Sequence, residues 1–147
     1  MNPLVHPARP NDLPGILALY RELRPRDPEL SAEIAQQAFN ALIAREDLYL
    51  FVCEVARSLV ATCMLAVIPN LANGMRPFGV IEHVVTLSSH RRRGYARIVL
   101  EHALDIAWSR SCYKVMLLSG AQRGDAHKLY ESVGFVGDLE RGFVIKP

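Results

Sequence analysis

The chain has 147 residues, enough for one domain with one sizeable core. Half of the residues are hydrophobic, 22% are charged and the formal net charge is +2, an ordinary soluble balance with too small a positive excess to argue for a nucleic-acid partner. No apolar run reaches membrane-spanning length, and Met1 to Pro7 lack the basic-then-apolar layout of a signal peptide, so a cytoplasmic protein without membrane association is expected.

In chain order, Val5 to Ala8 reads as a short first strand. Asn11 or Asp12 can cap a helix whose first turn accommodates Pro14. Leu13, Ile16, Leu17, Tyr20 and Leu23 then share one helical face. Arg24-Pro25-Arg26-Asp27-Pro28 breaks that helix, and Ser31 starts a second, with Ile34, Ala35, Ala38, Phe39, Leu42 and Ile43 facing inward. Leu48 to Val55 and Leu59 to Ile68 read as strands joined by a tight turn near Ala56-Arg57-Ser58. Both runs are continuously apolar, as in a sheet covered on both faces.

Pro69 to Pro77 is a loop, and Phe78 to Leu87 is the next strand. After the segment Ser89-His90-Arg91-Arg92-Arg93-Gly94-Tyr95-Ala96-Arg97 a helix runs to about Ser109, with Val99, Leu100, Ala103, Leu104 and Ala107 inward. Tyr113 to Leu118 is a strand, Ser119 to Gly124 a polar loop, and Asp125 caps a helix from Ala126 to Ser132 that Gly134 ends in a left-handed conformation. Arg141 to Ile145 reads as a last strand. The expected fold is α/β over residues 1–147, a mixed sheet with helices on both faces. Three scattered cysteines, Cys53, Cys63 and Cys112, point to reduced thiols without a disulfide or a metal site.

The segment from Ser89 to Arg97 is strand, short basic glycine loop, helix. Such a loop aims backbone N–H groups at an anion, and the helix dipole adds partial positive charge. Residues 1–80 carry 7 basic and 8 acidic groups, whereas residues 81–147 carry 10 and 7. The excess thus sits in the half with the loop, which favours a local anion site over a polyanionic partner.

Two motifs give this loop a context. Arg91-x-x-Gly94-x-Ala96 after an apolar strand resembles the Q/R-x-x-G-x-G/A signature of the GNAT N-acetyltransferase superfamily. Leu129-Tyr130-Glu131-Ser132-Val133-Gly134-Phe135 resembles its second hallmark, a helix ending in L-Y-x-x-x-G-F. A finer likeness, to glucosamine-6-phosphate N-acetyltransferases, lies in Ile81-Glu82-His83-Val84-Val85 and Cys112-Tyr113-Lys114-Val115.

The resemblance implies acetyl-CoA as cosubstrate, no metal, and a small-molecule primary amine as acceptor. Arg91, Arg92, Arg93, Gly94, Tyr95, Ala96 and Arg97 would hold the CoA phosphates, and the backbone of Val84, Val85 and Thr86 the pantetheine arm. The Val85 amide would face the thioester oxygen and stabilise the tetrahedral oxyanion. Glu82, a carboxylate expected to be part-buried in its strand, is the candidate general base. His83 is its rival; strand alternation puts the two on opposite faces unless a bulge intervenes. Tyr130 is the candidate general acid for the departing thiolate. Arg123 stands where many relatives carry an asparagine that contacts CoA. By position, Tyr20, Arg21, Arg24, Asn70 and Arg76 are candidates to line the acceptor pocket. Superfamily members often dimerise, so a homodimer is also allowed.

Each reading has an ordinary counterpart: a solvated arginine turn, a strand carboxylate with a basic partner, an aromatic packing a short helix. Three other readings of the whole stay open: transfer to a protein or peptide amine, a CoA-binding module without catalysis, and a nucleic-acid binder using the arginines. The last lacks aromatic residues interleaved with its basic cluster.

Overall fold

The computed structural model describes residues 2–147 and contains a five-stranded sheet in which the strands follow chain order. β1 (Leu4–Pro7), β2 (Leu48–Val55), β3 (Ser58–Ile68) and β4 (Phe78–Thr86) are antiparallel neighbours, and β5 (Val115–Leu117) lies parallel to β4. A parallel pair requires a crossover, here α4 (Tyr95–Ser109).

The continuous apolar character of β2 and β3 is explained by helices on both faces. Leu50 and Val52 pack with Leu13 and Ile16 of α1 (Leu13–Leu23) and with Ala35 and Phe39 of α2 (Ala32–Ile43). Phe51 and Cys53, between and beside them in β2, pack instead with Val99, Leu100, Ala103 and Ala107 of α4 and with Tyr130 of α5 (Gly124–Val133). Burying one side chain such as Phe51 or Ile81 contributes about 1.5–3 kcal/mol. Ile34 and Ala38, expected on the inner face of α2, are exposed; the helix buries only Ala35 and Phe39. Cys53, Cys63 and Cys112 are free and buried.

The β2–β3 hairpin turns through Ala56 and Arg57, with Val55 opposite Ser58. Both turn residues have positive φ, 50° and 65°, as a type I′ turn demands, although neither is glycine or asparagine. The expected loop at Pro69–Pro77 contains a four-residue helical turn, α3 (Ala72–Met75).

Two sequence expectations near the C-terminal end are corrected. α5 starts at Gly124 with Arg123, not Asp125, in the cap position. The strand expected at Arg141–Ile145 does not form. On its approach Lys114 and Glu140 form an ion pair at 3.1 Å, and Gly142 packs on the end of the Leu118 side chain, which would have to move to admit a Cβ there. Phe143, Val144 and Ile145 beyond it are exposed. Strand propensity is a fit to a partnered, half-buried surface, and these side chains meet none.

Candidate active site

β4 carries one residue more than β3 across the middle of their pairing. Met64 lies opposite Glu82, and Thr62 opposite Val85, so Cys63 alone faces His83 and Val84. This is a β-bulge, and its strain falls on His83, at φ 55°. A non-glycine residue held there costs on the order of 1–3 kcal/mol.

The bulge decides which way the two candidate bases point. Opposed residues in an antiparallel pair share a face, and Met64, opposite Glu82, packs with the α1/α2 cluster. The His83 ring lies 5.3 Å from that of Tyr20 on α1. Ile81 before them and Val84 after them pack on the α4 side. Glu82 and His83 therefore stand on the same side of the sheet, contrary to simple alternation. Glu82 is exposed rather than part-buried: it lies one residue past the last β4–β5 pair, Ile81 with Leu117.

That last pair marks where the sheet opens. β4 continues to Thr86, paired with β3, and among the described residues no strand lies on its other side. Val84, Val85 and Thr86 lie on this unaccompanied stretch, and Val85 itself is only 6% exposed. Where β5 stops, the Ser119 hydroxyl is shielded from water and has no hydrogen-bond partner among the described residues. A buried polar atom without a partner has a cost, and this one lies two residues past Leu117, the last β5 residue paired with β4. The sequence around Ser119 marks only a polar loop and carries no signal for this buried hydroxyl.

The loop from β4 to α4 begins as a 3-10 turn, Ser88–His90. Arg92 has φ 61°, and Gly94, at φ 81°, forms the N-terminal cap of the 15-residue α4. The conformation suits glycine, and the space a Cβ would take at Gly94 is empty to 4 Å. Arg91, Arg92 and Arg93 are exposed, and no ion pair engages them among the described residues. Tyr95 and Ala96 open α4, half-buried. Arg97 pairs through its guanidinium with Glu101 at 2.8 Å along the helix. Arginines, empty space and helix N-terminus together suit a phosphate-bearing ligand.

On the α4 side, Tyr130 is 9% exposed. Burial pushes its phenol above the ordinary tyrosine value; Arg123 pulls the other way, and Cys63 and Glu82 add to the rise. The Arg123 and Glu82 charges thus both bear on the Tyr130 phenol, Arg123 from the cap of the same helix and Glu82 from β4. The Arg123 side chain folds over Gly120, whose carbonyl accepts from the Arg123 N–H at 3.0 Å and lies 2.8 Å from His127 Nε2.

The residues expected around the acceptor divide. Tyr20 reaches the site through His83, and burial raises its phenol to about 12. Arg24 pairs with Asp27, and Arg21 is exposed. Arg76 is spent on the carbonyls of Ser111 and Cys112, and Asn70 on those of Ala72 and Arg76. These last two tie down the loop before β4.

The family model of the acetyltransferase (GNAT) family matches residues 16–135. The uncharacterized N-acetyltransferase YhdJ of Bacillus subtilis (strain 168) is 31% identical over 108 residues, 73% of this chain and 75% of the relative. The glucosamine 6-phosphate N-acetyltransferase of Trypanosoma brucei brucei is 29% identical over 125 residues, covering 85% and 83%. Among solved structures, a provisionally assigned acetyltransferase from Agrobacterium tumefaciens str. C58 superposes with a TM-score of 0.93 at 44% identity, over 98% of this chain and 99% of that one.

Proposed function

The chain belongs to the acetyltransferase (GNAT) family, and from that premise we propose that it moves an acetyl group from acetyl-CoA to a primary amine of a small molecule by direct attack in a ternary complex. The observation that carries the reading is the junction of β4 and α4. A left-handed Gly94 with open space at its Cβ position, three uncommitted arginines and a helix N-terminus follow directly on a strand whose flank is free. A long thiol cofactor with a pyrophosphate at one end fits that order. Arg91, Arg92 and Arg93 and the N–H groups from Arg92 to Arg97 would hold its phosphates, and the Val84–Thr86 backbone its arm. Arg123 would add charge at the cleft, and the unpartnered Ser119 hydroxyl a donor.

Acetyl-CoA supplies the activated acetyl group; the chain supplies placement and proton transfers. The acceptor enters as an ammonium and must lose a proton before it can attack. Glu82, open to water at the mouth of the cleft, takes that proton directly or through a water molecule. The Val85 N–H donates to the oxygen that becomes negative in the tetrahedral intermediate. Tyr130, kept protonated by burial, gives its proton to the departing sulfur. As the intermediate collapses, the attacking nitrogen sheds its second proton to water, and water returns one to the phenol. A small amine as acceptor is favoured by the relative named for glucosamine 6-phosphate and by a structural neighbour described as an aminoglycoside N-acetyltransferase in complex with CoA.

Saturating acetyl-CoA tests the donor. At about 100 times the Kd it adds roughly 2.7 kcal/mol to stability, about 5–10 °C in Tm for a chain of this size. An unchanged melting curve refutes it. An acetylation screen that detects free thiol, run over amino sugars, polyamines, amino acids and peptides, tests the acceptor. Turnover confined to peptide amines overturns the small-molecule assignment.

A further inference from the structure

Between the end of β4 and the first arginine, the loop is held from outside by two groups. The Leu87 N–H donates to Val60 of β3 at 2.9 Å. One residue later, Glu22 in the last turn of α1 takes both polar groups of Ser88: the backbone N–H donates to Oε2 at 2.8 Å and the hydroxyl to Oε1 at 3.1 Å. Sixty-six residues separate the partners. From Arg91 to Arg93 no such tether follows, and Arg92 is held at a positive φ that its side chain disfavours.

Resting on the CoA reading above, we infer that Glu22 is a positioning residue for the cofactor: its carboxylate, closed on Ser88, fixes where the arginine loop starts. The arrangement runs against simple electrostatics. A carboxylate near a loop that binds phosphates repels the ligand, so on charge alone the site would be better without it. Its geometric role has to outweigh that repulsion. Net, two such hydrogen bonds are worth a few-fold to tenfold each in an equilibrium, and ordering the loop beforehand lowers what binding must supply.

Charge and geometry predict opposite signs, and two variants separate them. In Glu22→Gln the amide oxygen can still accept the Ser88 N–H and the NH₂ can donate to the Ser88 hydroxyl, while the charge is gone. This variant is expected to bind acetyl-CoA at least as tightly as the natural protein. Glu22→Ala removes the clamp together with the charge. It is expected to raise the acetyl-CoA Kd and KM roughly three- to tenfold while kcat at saturating acetyl-CoA is kept, and to speed amide exchange over residues 88–94 in the ligand-free protein. Equal or tighter binding by Glu22→Ala, or unchanged exchange in that segment, overturns the inference. So does a joint fall of kcat and Tm, which marks a merely structural contact. If the natural protein binds no acetyl-CoA, the CoA reading falls and this inference with it. If the natural protein binds and Glu22→Ala matches it, the clamp alone falls.

Discussion

Phe135 donates its backbone N–H to the Tyr130 carbonyl at 3.0 Å and sets its ring nearly edge-on to the tyrosine ring, 6.2 Å between centroids and 77° between planes. The left-handed Gly134, at φ 109°, makes both contacts possible by reversing the chain at the helix end. The motif that ends α5 therefore also holds the Tyr130 ring in place.

Removing only the Tyr130 hydroxyl isolates the proton donation. Tyr130→Phe keeps the edge-on packing and is expected to lower kcat by about 10²-fold, within the usual range for a general acid, with the acetyl-CoA Kd within about twofold. Steady-state rates with thiol detection and a direct binding measurement check both. Because burial raises the phenol above the ordinary tyrosine value, the protonated form persists to higher pH. The pH–rate profile should show no alkaline loss from this group below the normal tyrosine range.

Glu82 and His83 face the same side, so only substitution separates their roles. Glu82→Gln is expected to lower kcat about 10²-fold. Asparagine tolerates a positive φ better than most residues, so His83→Asn preserves the bulge and should keep kcat within a few-fold if Glu82 is the base. The opposite ranking in a paired kinetic comparison gives the role to His83.

Gly94→Ala is expected to fail twice. Holding alanine at φ 81° costs about 1–2 kcal/mol, roughly 3–7 °C in Tm for a chain of this length. The added methyl also projects into the empty space beside the loop, so acetyl-CoA affinity should fall more than stability does. Calorimetric melting and a binding titration read the two losses separately.

The hairpin turn offers a gain far from the cleft. Arg57 sits at φ 65° beside Ala56 at φ 50°, and glycine adopts this conformation without strain. Arg57→Gly should stabilise by about 0.5–1 kcal/mol after its larger unfolded-state entropy is subtracted, with activity unchanged. Chemical denaturation checks the sign.

Much of the fold is written locally. The helical spacing of Leu13, Ile16 and Tyr20 and of Ala35 and Phe39, the two apolar β runs and the breaker at Arg24–Pro28 predict elements that the chain forms. The loop and Tyr130 are legible because their motifs are contiguous. Three features are not. Glu82 looks part-buried from its neighbours Ile81 and Val84, but its exposure depends on where a different strand, β5, ends. The partner of Ser88 lies 66 residues away on α1. The apolar run at Phe143–Ile145 carries strand propensity without a ladder to realise it. In each case the deciding contact is distant in sequence, where periodicity says nothing.

The extra residue in β4 works like a frameshift in the pleat. Upstream of His83 the strand keeps one assignment of odd and even positions to the two layers, and downstream it keeps the reverse. Deleting His83 would restore one phase throughout: Val84 would stand alone opposite Cys63, Val85 would stay opposite Thr62, and the flanking residues would keep their faces, so the extra residue adds one side chain to the α1 side without disturbing the layers around it.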